Sequence, residues 1–361
     1  MSAVLERLSP AVAARLYREA PLEELRARAD AARQRVVPGR TVTYLIDRNV
    51  NYTNVCVTDC QFCAFYRPPG HAEGYVRTRE ELAGKLSELA AVGGTRVLMQ
   101  GGHHPDLRLP WYEDLLRWMR REFPSIEIDA FSPSEIDHVA ALEGMTVEQV
   151  LGRLREAGLE GLPGGGGEML DDEIRREVSP KKQDAQGWLD VMRAAQRLGL
   201  ATTATMVIGF GESVEQRIGH LVRLRELQDE SLAAHGNGFI AFIAWTAQLK
   251  NNSLERSWRR RRMGAGPEDY LRHAAVARLV LDNVPHHQAS WPTMGEATAR
   301  EALRGGADDF GSTMLEENVV SAAGTDRRSM TEAELHANIR AAGFVPAQRD
   351  TRYRIVRSFD E

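Results

Sequence analysis

The chain has 361 residues, 43% of them hydrophobic and 27% charged, with only three cysteines and a net charge of −5. That composition is ordinary for a globular protein and excludes a collagen-like or wholly disordered chain. The acidic balance argues against a general nucleic-acid binder, which needs a basic surface to displace counterions. The longest apolar run, Phe239 to Trp245, is far short of the ~20 residues of a membrane-spanning helix. No continuous apolar signal core opens the chain. The expected location is the cytoplasm, where thiols stay reduced.

Residues 1–39 read as an N-terminal helical extension, with Leu16, Leu22 and Leu25 among Arg and Glu and a stop at Pro38-Gly39. From residue 40, short strand-like runs alternate with helix-like stretches. The strands are expected at Val42–Asp47, Arg96–Gln100, Ile126–Phe131, Leu159–Leu162, Thr202–Ile208, Phe239–Trp245, Val284–Ala289 and Ala307–Phe310. Capping boxes at Thr78/Glu81, Thr146/Gln149, Ser213/Gln216 and Thr331/Glu334 mark helix starts, each pairing a hydroxyl acceptor with a side chain that reaches back to free N–H groups. This alternation predicts an α/β fold, a (β/α)8 TIM-type barrel over residues 40–325, with an open doubly wound sheet as the alternative. Residues 326–361 are expected to add a helix and a tail packed on the barrel. Arg259 to Arg262 form an arginine run, read either as a solvated face or as contact with an anionic ligand or partner.

Polar or glycine-rich residues gather after the strands: Gln100 to His104, Ser132 to Glu135, Gly164 to Glu168, Gly209 to Glu212 and His286 to Gln288. In a parallel barrel those ends share one mouth, where active sites lie. The cysteines occupy the loop after the first strand, as Cys56-x₃-Cys60-x₂-Cys63. Structural zinc usually takes four protein ligands, and the chain has no fourth cysteine. Iron–sulfur clusters are held by thiolates, and three thiolates on a four-iron cluster leave one iron open to a substrate or cofactor. Zinc and unliganded thiols remain the competing readings.

The segment resembles the radical S-adenosylmethionine (SAM) enzymes, whose motif has this spacing and an aromatic residue before the last cysteine, here Phe62. The resemblance implies a [4Fe-4S] cluster held by Cys56, Cys60 and Cys63, SAM chelated to the open iron, and a 5′-deoxyadenosyl radical released on reduction. It also implies SAM contacts from Phe62 and from Gly101 and Gly102 after the second strand. Glu168, after a glycine run that lets the backbone approach a ligand, is a further candidate for SAM, with Ser132 and Glu135 as the alternatives.

Further stretches narrow the resemblance: Cys63-Ala-Phe-Tyr-Arg-Pro-Pro-Gly-His71, Leu98-Met-Gln-Gly-Gly-His-His-Pro105, Asp129-Ala-Phe-Ser-Pro133, Ser179-Pro-Lys-Lys182 and Thr202-Thr-Ala-Thr205. Over most of residues 40–325 the chain is similar to the cyclic dehypoxanthinylfutalosine synthase family of the futalosine route to menaquinone. It departs from the family pattern at Phe210, at Gly167 and at Ala244-Trp245-Thr246-Ala247. The implied reaction takes a hydrogen from C4′ of the ribose of dehypoxanthine futalosine and closes a ring on the benzoate. A base must then remove a proton. His103, His104, His286, His287, Glu316 and Glu317 are the candidates. Phe62, Phe65, Tyr66 and Trp245 are candidate pocket walls, and Arg67 a candidate for the benzoate carboxylate. A flavodoxin or ferredoxin is the implied reductant. The sister reading is an aminofutalosine synthase, which joins the adenosyl unit to its product. A reading of another class is a non-catalytic iron–sulfur carrier.

Overall fold

The computed structural model describes residues 7–325 and 328–359, and among them eleven strands form one sheet. They are β1 (Thr41–Leu45), β2 (Asp47–Val50), β3 (Arg96–Met99), β4 (Glu127–Ala130), β5 (Gly161–Leu162), β6 (Ala201–Ile208), β7 (Phe239–Thr246), β8 (His286–Gln288), β9 (Asp309–Ser312), β10 (Val345–Arg349) and β11 (Ile355–Ser358). The first expected strand is present but bent, with Ile46 as the joint between β1 and β2. β1 pairs in parallel with β9, as Thr43 with Asp309 and Leu45 with Ser312. β2 pairs in parallel with β3, from Asp47 with Arg96 to Val50 with Met99. Each strand from β3 to β9 is parallel to the next. One segment, residues 41–50, therefore bonds both ends of the series and curls the sheet into a β/α barrel. The weakest of the expected strands, Ala307–Phe310, is real as β9.

All four capping boxes form. Thr78, Thr146, Ser213 and Thr331 open helices Arg79–Ala91, Val147–Ala157, Val214–His235 and Glu332–Ala341. The helices cover the outward faces of the strands. Val97, Met99, Ile128, Ala130, Ala204, Met206 and Phe242 sink into this layer with Leu82, Leu86, Leu115 and Leu224. The alternate residues face inward, and many are polar or charged: Asn49, Arg96, Asp129, Thr203, Thr205 and Gln288. Strand periodicity thus separates an apolar shell from a polar lumen.

The N-terminal extension is two helices, Pro10–Glu19 and Leu22–Val36, broken at Ala20-Pro21. They dock on the helix layer, where the Arg272 guanidinium donates to the carbonyls of Tyr17 and Ala20 at 3.2 and 2.7 Å.

The C-terminal region does more than pack as a helix and tail. After helix Glu332–Ala341, β10 adds to β1 in parallel, and β11 turns back antiparallel to it. Pro346 hid this strand in the sequence; it is tolerated because it lies near the sheet margin. At the end of β10, Arg349 grips Asp309 with Nε and Nη2 at 2.6 and 3.2 Å. Its guanidinium lies 3.8 Å over the Tyr353 ring. Tyr353 in turn stacks flat on His286 at 3.8 Å. These side chains meet the strands at their N-terminal ends and close the barrel floor.

Removing Arg349 leaves a buried carboxylate without its cation. Arg349→Met is expected to lower the stability of the metal-free protein by about 3–5 kcal/mol, the range for a broken buried pair. The check is the chemical denaturation midpoint; an unchanged midpoint would mean that the floor does not depend on this pair.

Candidate active site

A cavity of about 390 Å³ opens where the C-terminal ends of the strands converge, and Cys56, Cys60 and Cys63 all line it. The loop that carries them is tied down at both ends. Val55 and Cys56 run alongside Arg67, with the Cys56 N–H donating to the Arg67 carbonyl at 2.9 Å. Thr53 Oγ1 donates to the Tyr75 carbonyl at 2.6 Å, and Asn54 bonds Tyr75 N and the Glu73 carbonyl. Thr58 Oγ1 lies 3.0 Å from Cys56 Sγ and 3.7 Å from Cys60 Sγ. The His103 N–H donates to Cys56 Sγ at 3.3 Å, a contact that stabilises negative charge on sulfur. As a bare thiol Cys63 is pushed up to about 11 by burial.

The donor set fits a four-iron cluster with one iron left open. The three thiols line one cavity, and the sequence has no fourth. A structural zinc site usually takes four protein ligands, and the sequence offers no fourth cysteine.

Gly101 and Gly102 line the cavity, but packing alone requires them to be glycine. A Cβ on Gly101 would stand 2.5 Å from the Tyr52 ring, and one on Gly102 would stand 2.1 Å from the Val55 carbonyl oxygen. Their amides are also committed, to Glu135 Oε1 at 2.9 Å and to the Thr53 carbonyl at 3.1 Å. Ser132 caps helix Pro133–Glu143, and its hydroxyl donates to Glu135 Oε2 at 2.7 Å. Tyr52 donates to Glu135 Oε1 at 2.7 Å. Glu135 therefore joins the cysteine loop, the end of β3 and the helix after β4. Burial pushes it up to about 7.

Glu168 and Lys182 form the other side. Lys182 Nζ lies 3.0 Å from Glu168 Oε1 and 5.4 Å from the Phe62 ring centre. Burial would lower Lys182, but Cys60 and Glu168 outweigh it and hold the ammonium charged. Burial would raise Glu168, but Lys182 and Arg175 hold it below the usual carboxylate range. Glu168 Oε2 is buried with no partner, an acceptor available to a hydroxyl or ammonium of a ligand such as SAM. Arg175 fixes both strips of chain, donating to the carbonyls of Gly166, Met169 and Gln183. Lys182 and Arg175 were not singled out from sequence. The Ser-Pro-Lys-Lys motif offered Lys182; nothing distinguished Arg175 from the many other arginines.

The expected bases separate sharply. His103 lines the cavity and packs on His138 at 5.0 Å, but burial, with Lys182 adding to it, holds its ring far below the ordinary imidazole value. The side chain of His104 turns back on its own loop, where Nδ1 accepts from Asp106 N at 3.1 Å, and it does not line the cavity. His286 sits at the floor against Asp308 at 2.6 Å, because β8 begins there rather than ending there. His287 points outward into the helix layer beside Phe242, as strand alternation requires. Glu317 lines the cavity, but its oxygens accept from the amides of Val319, Val320 and Ser321 at 2.7–2.8 Å. It caps a turn, with three of its roughly four acceptor sites engaged. Glu316 pairs with Arg48 and Lys85 outside the cavity. Arg67 is spent on Glu73 and three loop carbonyls.

Phe62, Phe65, Tyr66, Phe210 and Trp245 form the apolar wall, with Phe62 and Phe210 in contact at 5.5 Å. Trp245 Nε1, Asn49 Oδ1 and Arg96 Nε are buried without partners on the same cavity. Asp129 also lines it, close to Arg96 and pushed up to about 6 by burial.

The sequence matches the model of the radical SAM superfamily over residues 50–224, and that of the CofH/MqnC C-terminal region over residues 236–360. The chain belongs to the radical SAM superfamily. Within it, the chain is 47% identical to the cyclic dehypoxanthine futalosine synthase of Halalkalibacterium halodurans, across 99% of this chain and 93% of that protein. It is 36% identical to the aminodeoxyfutalosine synthase of Thermus thermophilus, across 96% of this chain and 91% of that protein. Among solved structures, the radical SAM barrel is similar to methylornithine synthase, with a TM-score of 0.72 and 19% identity over 95% of both chains. That likeness concerns the fold alone. Among the described residues no helix is long and apolar enough to cross a membrane.

Glu135 supplies a pH test of this geometry. Its value rises from 4.5 in its ordinary state to about 7 in the folded protein. Between those values the folded protein holds a proton that the unfolded chain has released, so stability falls as pH rises through that window. Glu135→Gln is expected to flatten the fall in the metal-free protein. Parallel curves for the two proteins in denaturant titrations would show that Glu135 does not carry it.

Proposed function

We propose that this chain is the radical SAM cyclase that converts dehypoxanthine futalosine to cyclic dehypoxanthinylfutalosine in menaquinone biosynthesis. The ribose C4′ hydrogen is removed, the carbon radical closes on the benzoate ring, and the cyclised radical loses one proton and one electron to restore aromaticity; the oxidised cluster, when bound, would take the electron. The observation that carries the reading is the single cavity lined by three thiols, by Glu168 with its unpartnered oxygen and by aromatic rings from the cysteine loop and from the ends of β6 and β7. The near full-length identity of 47% to a cyclase, against 36% to an aminodeoxyfutalosine synthase, favours cyclisation over adenosyl transfer. The setting is the cytoplasm, and a small flavodoxin or ferredoxin supplies electrons.

When bound, a [4Fe-4S] cluster on Cys56, Cys60 and Cys63 together with SAM supplies a 5′-deoxyadenosyl radical. The chain's own residues bind and orient. Glu168 Oε2, buried without a partner, would accept from SAM, and Lys182 keeps that carboxylate ionised beside Cys60. Gly101, Gly102, Ser132 and Glu135 shape the neighbouring wall. Phe62, Phe210 and Trp245 exclude water from the substrate rings, and Trp245 Nε1 offers a hydrogen bond. For the last proton we assign Asp129 rather than a histidine. It lines the cavity, and with a value of about 6 it is largely ionised yet still accepts a proton at neutral pH. His103, held far lower by burial, is a poor acceptor.

Reduced, cluster-loaded protein incubated with SAM and dehypoxanthine futalosine is expected to release free 5′-deoxyadenosine and one cyclised product. An adenosyl unit joined to the product would support the synthase reading instead, and neither product would refute the proposal. Asp129→Asn is expected to slow cyclised product by at least ~100-fold, the lower range for losing a general base, while substrate-dependent 5′-deoxyadenosine persists. Cyclisation at the wild-type rate would remove Asp129 from the mechanism.

A further inference from the structure

The segment after β7, residues 250–263, holds Lys250, Arg256 and Arg259 to Arg262 against the single acid Glu255. The whole chain, by contrast, carries −5. The segment forms two short turns, Ser253–Arg256 and Arg260–Arg262. It is fastened to the stretch between two of the cysteines. Leu254 N donates to the Gln61 carbonyl at 3.3 Å, and Asn252 Nδ2 donates to the Phe62 carbonyl at 3.0 Å. Gln61 N in turn donates to the Val178 carbonyl at 2.8 Å, and Arg259 pairs with Glu177 on that same helix, Asp172–Val178. Buried Leu254 anchors the segment. Arg256, Arg260, Arg261 and Arg262 are left exposed in the same stretch as Trp258, which is 86% exposed. The next most exposed large apolar residue is Val356 at 53%.

An isolated apolar residue on a surface is ordinary. A nearly bare tryptophan flanked in sequence by exposed arginines has the composition of an interface centre, where Trp and Arg carry most binding energy. The local positive charge selects a negative partner and accelerates encounter in a salt-dependent way.

We propose that residues 250–263 are the docking surface for an acidic one-electron carrier protein that reduces the cluster. This rests on the proposed function, which requires single electrons from outside the chain. The carrier loses one electron and the cluster gains it; no bond at the patch forms or breaks. The position suits this role, since the carrier would sit against the backbone of Gln61 and Phe62, between the ligands Cys60 and Cys63.

The test compares two electron sources on the cluster-loaded protein, with SAM cleavage to 5′-deoxyadenosine as the readout. The probes are a purified acidic flavodoxin in its hydroquinone form and dithionite. Charge reversal at R260E/R261E/R262E is expected to raise the flavodoxin concentration for half-maximal rate at least tenfold at low salt. It should also abolish the salt dependence seen in the wild type. Trp258→Ala is expected to raise that concentration severalfold. With saturating dithionite both variants should stay within twofold of wild type. Unchanged flavodoxin kinetics would overturn the proposal. A parallel loss with dithionite would also overturn it, assigning the segment a structural role in the cysteine loop. Tight binding of RNA or anionic vesicles by the patch, with unaltered flavodoxin kinetics, would assign it to another partner. Failure of the wild type to cleave SAM with dithionite would refute the function reading itself.

Discussion

The approach of the end of β3 to the cysteine loop is the contact on which the site depends. At Gly102 there is no room for a Cβ, which would lie 2.1 Å from the Val55 carbonyl oxygen, the residue before the first cysteine. Backbone is thereby pressed on backbone. The next amide, that of His103, reaches Cys56 Sγ, and the preceding glycine leaves space for the Tyr52 ring. Tyr52 and Gly101 both donate to Glu135, which brings the helix after β4 into the same lock. Three consecutive β/α units are held to one another within a few ångströms of the thiols. A site that must present three sulfurs and leave one iron free gains from such rigidity, since loosely held ligands would cost affinity and selectivity.

Charge is organised by the same alternation that builds the barrel. Inward positions at the floor carry Asp47, Arg96, Asp309 and Arg349, which pair with one another, and Asp129, two residues further along β4, also meets Arg96. These charges are buried at a cost that only mutual pairing offsets. The C-terminal strand is thus part of the lumen, because Arg349 and Tyr353 come from it. Nearer the mouth the pairing is incomplete. Glu168, Trp245 and Asn49 each keep a buried atom without a partner. In a well-packed interior such atoms are exceptions, and on a cavity wall they mark where a ligand makes up the deficit.

Much of this was legible in the sequence, for identifiable reasons. Cysteine spacing survives as a signal because sulfur chemistry fixes it. The four capping boxes are local, needing only residues three apart. The strands from β3 to β9 announce themselves by short apolar or β-branched runs. What failed was orientation. Two adjacent histidines on β8 necessarily face opposite sides of the sheet, and neither reaches the mouth, since the strand begins at His286. Glu317 reads as a base from sequence, whereas its oxygens accept from three amides in the fold. Arg175 and Arg349 were invisible among the other arginines, as their roles come from contacts distant in sequence. Sequence suggests ligand-facing backbone at Gly101 and Gly102, whereas steric contact with Tyr52 and Val55 is sufficient to require glycine there.

The central claim is that this cavity directs hydrogen removal to one position of one substrate. It is tested most directly with dehypoxanthine futalosine carrying deuterium at C4′. With reduced, cluster-loaded protein and unlabelled SAM, the 5′-deoxyadenosine released should contain one deuterium per cyclised product, and the product should have lost it. Unlabelled 5′-deoxyadenosine formed together with a product that retains the deuterium would contradict the account.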